Sequence, residues 1–502
     1  MNTKRSISLF AAAVCLIGCG ALVSRADTHY VWRDNPTPVS PYTNGWASAA
    51  TNIQLAVDAA GIGDTVLVTN GTYDTGGSAT TAGGGLLTNR VCINDKDVIV
   101  RSVNGPEVTI IKGSPDPGTG TNGPGAVRCA YIRGLWDGVA HTAYLAGFTL
   151  TNGYTMTNGN DYADKSGGGV HIDRRAAISN CVVVGNTANY IGGGVYNNQG
   201  AIDNLVVFNN SAYHGGGIAL RSSEPTCAAK INSCTVSNNH ADYWGGGIYC
   251  SNADAAKSTP ISNCVIIGNS ANAGAGGAYY GYLYNCAIVG NSAADGDGGG
   301  TANSALYNCT VVSNNANSAV TGCGGGVFAG TATNCLVTGN TARYAGGAGS
   351  CSAMYNCLVT GNRATVRTGG GPAGGVYNCP LLYNCTIVSN SAATDGGGVH
   401  SSTMYNCISW DNTPAADYLV TPFYSCGIDY SGNNNISTDP LFVNSAAGNY
   451  RLSANSPCVN AGTNGSWTAN SVDLDGRMRI RYGTVDMGAY ETIYSGTIFS
   501  IH

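Results

Sequence analysis

Acidic residues come first, because cutting a polysaccharide needs either two carboxylates a few ångströms apart or a calcium-holding acid cluster with a basic residue nearby. Asp295 and Asp297 in "ADGDGGG", with Asp395 in "TDGGG" further on, are the best candidates. Each stands just before a run of glycines, where Asp commonly serves a turn, so a structural role is expected. Asp473 and Asp475 in "VDLDGR" hint at a cation loop, but the remaining ligands of a calcium motif are missing and a turn is again the better reading. Histidines are few: His171 and His400 replace the tyrosine of "GGGVY", and His214 and His240 lie near corners. None has a partner at ligand spacing, so all four read as surface residues. No catalytic, metal or cofactor role is assigned to any residue, and the balance leans against an enzyme.

The aromatic set is more suggestive. Tyr190, Tyr213 and Tyr243 follow an Asn-x-Ala signal by one or two residues in three successive units, with Trp244 beside the last. They are expected to stack along one edge, where exposed rings offer apolar faces to sugars. The competing reading is that stacked tyrosines stabilise neighbouring loops, as Tyr284, Tyr307, Tyr355, Tyr383 and Tyr405 before the "NC" pairs also would.

Those residues sit on a repeat. "NCVIIGNSANAGAGGAYY" from Asn263 returns as "NCAIVGNSAADGDGGG" from Asn285, "NCLVTGNTARYAGGAG" from Asn334 and "NCTIVSNSAATDGGGVH" from Asn384. One slot holds Cys181, Cys234, Cys264, Cys286, Cys309, Cys335, Cys357, Cys385 and Cys407, with Leu205 in a tenth copy. Two residues later nine of ten copies carry Val or Ile, the exception being Ser409; β-branched residues there suit a strand facing the same side as the slot. Five residues after the slot every copy has Asn, from Asn186 to Asn412. Asn tolerates the left-handed conformation of sharp turns, and stacked Asn side chains can hydrogen-bond in a ladder. Glycine triplets such as Gly192-Gly193-Gly194 mark a second corner.

Slots recur every 22 to 30 residues, too few for a strand, a helix and a return, but right for one turn of a solenoid built from about three short strands. Less regular coils precede them: "DTVLVTNGTY" from Asp64, "DVIVRS" from Asp97, "EVTIIKG" from Glu107 and "AYLAGFTLTNGYT" from Ala143. The total is on the order of fourteen coils, a rod of roughly 65 Å at one strand spacing per coil. An open end needs a cap, and "ATNIQLAVDAAGIGD", with Ile53, Ala56, Val57 and Ala60 at helical spacing, is expected to supply it. Loops of variable length, such as Ser222 to Lys230, should gather at one corner.

Composition fits a rod better than two or three globular domains. The chain has 502 residues, 73 of them Gly and 10% charged, with a net charge of -5. No basic stripe is present, so nucleic acid is not an expected partner. Lys4 and Arg5, the apolar run from Ile7 to Val23 and Ser24-Arg25-Ala26 read as an export signal over residues 1–26, with a mature start near Asp27. A lipoprotein signal ending at Cys19 competes, though apolar residues continue past it. No later run is long enough to span a bilayer as a helix. Twenty cysteines in an exported chain would ordinarily mean disulfides. A slot that takes either Cys or Leu argues instead for buried free thiols. Cys227, Cys250, Cys323, Cys351 and Cys379 fall elsewhere and stay open to local pairing.

"TNIQLAVDAAGIGDTVLVTNGTY" and the repeats together resemble the right-handed parallel β-helix, or pectin-lyase-like, superfamily. "GGGVY" and "NCTVVSN" are similar to the short repeats of chlamydial polymorphic outer-membrane proteins, and residues 439–491 look like a choice-of-anchor Q module. The resemblance implies an all-β fold: a single-stranded right-handed parallel β-helix over 27–437, an N-terminal cap helix, a small C-terminal β module over 438–491 and a short tail over 492–502. It also implies an exported protein, secreted or at the outer surface of a bacterium. A monomeric rod touching an extracellular glycan or surface protein is expected, with a polysaccharide lyase or glycoside hydrolase as the alternative and a surface-layer component third. Because this fold hosts lyases, hydrolases and adhesins alike, it does not choose among them. The acid, Gly-His-Gly and Arg-Ile-Lys arrangements of polygalacturonases do not appear, and "TIYSGTIFSIH" after Glu491 carries neither an apolar span nor a basic stop.

Overall fold

The structure is a computed structural model, and it describes residues 26–79, 85–135, 143–221, 230–251, 260–318, 320, 322–366 and 371–493. The export segment, Cys227, the loop after Arg221 and the tail beyond Ile493 lie outside those residues.

One coil shows the plan. Val195–Asn197 lies in sheet I, Ala201–Asp203 in sheet II, Val206–Phe208 in sheet III and Ser211–His214 in sheet IV, and the next coil returns to sheet I at Ile218–Leu220. Sheets I to IV hold 13, 15, 14 and 8 strands in coil order, making a parallel β-helix. A coil thus has three strands, as the repeat length requires, and a fourth short one in the eight coils of sheet IV. Among the described strands the pairing is parallel except where Ser78–Ala79 meets Thr88–Ile93 and where Phe442–Asn444 meets Asn449–Leu452.

Alternation along each three-residue strand sends its middle residue inward in sheets II and III. Sheet III therefore stacks Val183, Val207, Val236, Ile266, Ile288, Val311, Val337, Val359, Ile387 and Ser409 in one register, all buried. In sheet IV the inward position is Ala in every coil, from Ala188 to Ala364. The slot points into the same core at the corner between sheets II and III.

Left-handed residues turn the chain at the corners between the sheets. Between sheets II and III the residue before the slot takes φ near 50°, as in Asn180, Asn204, Asn263 and Asn308. Between sheets III and IV the left-handed residue is again the one before the ladder position, for example Gly185, Asn209, Gly268 and Ser313. The fifth-position asparagines are therefore not the left-handed residues that the repeat pattern led us to expect. They turn inward and are buried. At the glycine corner, Gly192 has φ +69°, and a Cβ on Gly193 or Gly216 would lie 2.3 Å from Ser211 O or 2.1 Å from His240 O, so successive backbones touch there.

The inward asparagines form a continuous hydrogen-bonded file. Nδ2 of Asn291 donates to Oδ1 of Asn314 at 3.0 Å and to Ile266 O at 2.9 Å, while its own Oδ1 accepts from the backbone N–H and Nδ2 of Asn269, each at 3.0 Å. The pattern runs unbroken from Asn186 to Asn412. At the first amide, Oδ1 of Asn186 accepts from Gly153 N–H at 2.8 Å. At the last, Nδ2 of Asn412 donates to Ser409 Oγ at 3.1 Å, which explains why this coil alone departs from Val or Ile.

Thiols make a second, weaker file. Backbone N–H groups of Cys234, Cys286, Cys309 and Cys385 point at the Sγ of the next slot cysteine at 3.4 Å, and each thiol donates to a carbonyl two residues back. All seventeen described cysteines are free and buried, including Cys250, Cys323, Cys351 and Cys379. None of those four forms a local disulfide in the structure. Burial pushes the thiols of Cys129, Cys181 and Cys250 up to about 12, which keeps them protonated and unreactive.

The helix Ile53–Ala59, capped by Asn52 through Leu55 N–H, buries Ile53, Ala56 and Val57 in the same core as the first strands. At the other end residues 439–491 fold back along the corner between sheets II and III. Trp467 packs on Tyr383 and Tyr405, and Tyr450, Ala489 and Tyr490 cover Leu358 and Val388. Arg479 is fully buried, paired with Glu491 at 2.8 Å and donating to Asn356 Oδ1 at 3.0 Å. Among the described residues no helix is long and apolar enough to cross a membrane.

Asn291→Ala leaves Asn269, Asn314 and Ile266 O each short of a partner, and should lower unfolding stability by roughly 2–4 kcal/mol, measured in urea. Alkylation before and after unfolding, read by mass spectrometry, should label none of the seventeen described cysteines until the chain unfolds.

Candidate functional site

Sheet IV carries the aromatic set. Ala212 and Ala241 pair facing inward, and the register shift that follows them sets Tyr243 beside Tyr213, their rings stacked 5.5 Å apart at 6°. They remain 42% and 38% exposed. Tyr190 follows a like register shift between Ala188 and Ile191 but does not join that stack; its half-buried ring meets Tyr162 at 5.8 Å and His214 at 6.2 Å, edge on. The shift after Ala212 also brings Trp244 opposite His214, and its half-buried indole lies flat on Tyr279, 4.9 Å away at 6°. The four expected residues share one corner, but two form the exposed stack and two fasten it to the sheet beside it.

That neighbour is sheet I, whose outward column runs Tyr131, His171, Tyr196, Ala219, Tyr249 and Tyr279. His214 folds over it and stacks on Tyr249 at 4.7 Å. The histidines therefore depart from the surface role expected of them: His171, His214 and His400 are all buried between aromatic rings, whereas His240 stays at the surface beside Ser270 Oγ. Burial lowers all three imidazoles, His214 to about 4 and His171 well below its ordinary value. The tyrosine of "GGGVY" was the signal for this column.

The ridge begins at a recess of about 220 Å³ that the sequence reading missed. Its residues come from separate coils. Tyr131, His171 and Tyr196 form the floor, Arg133 and Asp173 one wall, Tyr162 and Arg221 the other. The loop carrying Tyr162 is held by buried Arg128, which donates to Ala163 O, Ser166 O and Gly167 O, and by Asp164, which accepts from Leu86 and Leu87 N–H. Arg221 lies over the Tyr162 ring at 3.7 Å, and Arg133 sits 2.8 Å from Asp95 and 4.0 Å from Asp173. Among the described residues Tyr196 Oη and His171 Nδ1 are buried and make no hydrogen bond of good geometry, with the Arg221 guanidinium beside the phenol. Burial raises the Tyr196 phenol against the neighbouring Arg221 guanidinium, so it stays protonated. The recess thus offers a protonated phenol, a neutral imidazole and two guanidinium groups to whatever enters.

The acidic candidates do not converge. Asp295 accepts from Ser318 Oγ at 3.0 Å and Asp297 from Cys323 N–H at 2.8 Å, while Asp395 stands exposed at the glycine corner several coils away. Burial raises the Asp297 carboxyl. Asp473 accepts from the N–H groups of Asp475, Arg477 and Glu491, and Asp475 pairs with Arg451 and Arg477. Both are turn and docking residues. Among the described residues no group of three or more His, Cys, Asp or Glu is placed to hold a metal.

The chain matches no protein-family model and no curated protein. Among solved structures it is similar to the pectate lyase Pel9A, at 13% identity over 93% of this chain and 97% of that one, with a TM-score of 0.26. A rhamnogalacturonan lyase gives 14% identity over 83% and 91%, with a TM-score of 0.28. The A-module of the Azotobacter vinelandii mannuronan C-5 epimerase AlgE4 gives 19% over 82% and 100%, with a TM-score of 0.29. Values this low carry no argument about activity.

The buried histidines set a pH dependence with a definite sign. An unfolded imidazole titrates near 6.5, above the folded positions of His171, His214 and His400, so the unfolded chain binds more protons between about 6.5 and 4. Stability is fully present above that window and is lost as pH falls through it. His214→Phe should keep the ring stack and flatten the fall in urea midpoint between pH 7 and pH 4; an unchanged slope would contradict neutral burial of His214.

Proposed function

We propose that this chain is an exported bacterial β-helix rod that contacts extracellular glycans through the ridge of Tyr213, Tyr243 and Trp244, without chemistry of its own. The supporting observation is the exposed parallel stack of Tyr213 and Tyr243. Ring faces left open to water bind the apolar faces of sugars, and the stack is held by Trp244, His214 and Tyr279, so little ordering is lost on binding. Residues 1–26 serve as the export signal in this reading. Kinship with polymorphic outer-membrane repeats and with choice-of-anchor modules belongs to the same proposal, and with it display at the cell surface.

A second reading rests on the recess. Tyr196 Oη and His171 Nδ1 are the kind of unpaired, buried donor and acceptor that proton transfer to and from a sugar requires, and Arg133 and Arg221 would neutralise a developing oxyanion. On that reading the chain is a polysaccharide lyase or hydrolase using the ridge to hold its substrate.

Incubation with a panel of plant, algal and host polysaccharides separates the two. Retention without new chain ends, weakened at least tenfold by the double variant Tyr213→Ala/Tyr243→Ala, is the expected result. New reducing or unsaturated ends that disappear in Tyr196→Phe would establish the catalytic reading instead. Self-association with neither would point to a surface-layer component.

A further inference from the structure

A second aromatic site lies at the opposite corner of the first coils. The strands Thr28–Val31, Thr65–Val68 and Ile99–Ser102 stack in register in sheet II. The residues that follow each strand emerge side by side at the corner toward sheet III: Trp32 from the first, Thr69 and Asn70 from the second, Val103 and Asn104 from the third. The chain after Trp32 turns back so that Trp46 closes the other side, its ring edge-on to Tyr30 at 4.7 Å. The result is a groove of about 530 Å³. Trp32 is 38% exposed, Trp46 37% and Val103 46%.

We propose that this groove binds an uncharged sugar ring of an oligosaccharide, independently of the Tyr213 ridge. Four features select that ligand. Two indole faces stand open to water at one site, which a soluble surface rarely tolerates without use. Asn104 Nδ2 donates to Asn70 Oδ1 at 2.7 Å, and that pairing orients both amides. It leaves, among the described residues, the second Asn104 N–H and Oδ1 and both Asn70 N–H groups to meet hydroxyls, which both donate and accept. An apolar peptide side chain in the same groove would leave those amides unpaired, at a cost a hydroxylated ring avoids. Among the described residues no charged side chain lines the groove, so none of them repays desolvation of a carboxylate or sulfate. The volume lies in the range of small-ligand sites, of about 300–1,000 Å³.

The position matters as much as the chemistry. This groove opens at the corner between sheets II and III in the first coils, and the Tyr213 ridge at the corner between sheets IV and I several coils further on. Two sites on different faces of a rod let one molecule hold two strands of one glycan network, where the second contact becomes intramolecular once the first is made.

Titration of the full exported chain with the neutral hexasaccharides of cellulose, xylan and mannan, followed by tryptophan fluorescence, tests the inference. At least one should give a saturable change. Trp46→Ala and, at an exposed position that leaves the fold intact, Val103→Arg should each weaken it at least tenfold. Tyr213→Ala/Tyr243→Ala should leave it unchanged, so failure of the ridge reading and failure of this one are separable. No saturable response to any neutral hexasaccharide overturns the proposal, as does a response that survives both Trp46→Ala and Val103→Arg or one given by uronic-acid oligosaccharides alone.

Discussion

A single file of buried amides, ten asparagines long, is what the rest of the molecule depends on. A primary amide has two N–H donors and a carbonyl that accepts twice, and in the middle of the file all four are used. One N–H reaches the next amide and one a strand carbonyl, while the oxygen takes a backbone N–H and an amide N–H from the coil before. Inside a low-dielectric core an unmade hydrogen bond is expensive and a chain of made ones is mutually polarising. The file therefore tolerates no other side chain in its interior. The cysteine slot a few residues away contrasts with it, accepting Leu205 because a thiol there contributes mainly volume.

Because the file admits one register, the columns of sheets I to III inherit it, while sheet IV keeps it at its inward Ala and shifts beyond in two pairings. Sheet IV holds Ala inward in each coil, which allows the backbone to approach closely at the glycine corner, and the glycines there leave no room for a Cβ against the neighbouring carbonyls. Outward positions are then spaced at one strand separation of about 4.8 Å, close to the contact distance of aromatic rings. That is why Tyr284 with Tyr307 and Tyr383 with Tyr405 stack face to face at 4.9 and 5.2 Å on sheet II, whereas Tyr243 reaches Tyr213 through the register shift after Ala212. The two tyrosine files differ in what covers them. Trp467 from the segment after the coils lies on Tyr383 and Tyr405, whereas Tyr213 and Tyr243 face solvent.

Most of the scaffold could be read from the repeat, since a period near two dozen residues, an invariant fifth-position Asn and a β-branched column all follow from stacking identical coils. Ser409, the one exception to that column, makes sense only in three dimensions, as the cap on the last amide. The division of labour at the corners was not legible either. Asn suits both a left-handed turn and a buried ladder, and only coordinates show the preceding residue taking the turn. The recess was missed because Arg133, His171, Tyr196 and Arg221 come from different coils whose spacing varies, so no linear pattern joins them. Burial of His171, His214 and His400 escaped notice for a related reason: their cover comes from aromatic residues in neighbouring strands and loops, not from sequence neighbours.

Hydrogen exchange at the backbone amides of Asn210, Asn239, Asn269, Asn291 and Asn314 tests the role of the file most directly, because each of these N–H groups donates into the next amide oxygen. If the file locks the coils together, these amides exchange solely through global unfolding, with protection equal to the full unfolding free energy measured in urea. Exchange as fast as that of surface amides, or protection well below that of the flanking sheet III strands, would show that the coils are held in register by something else.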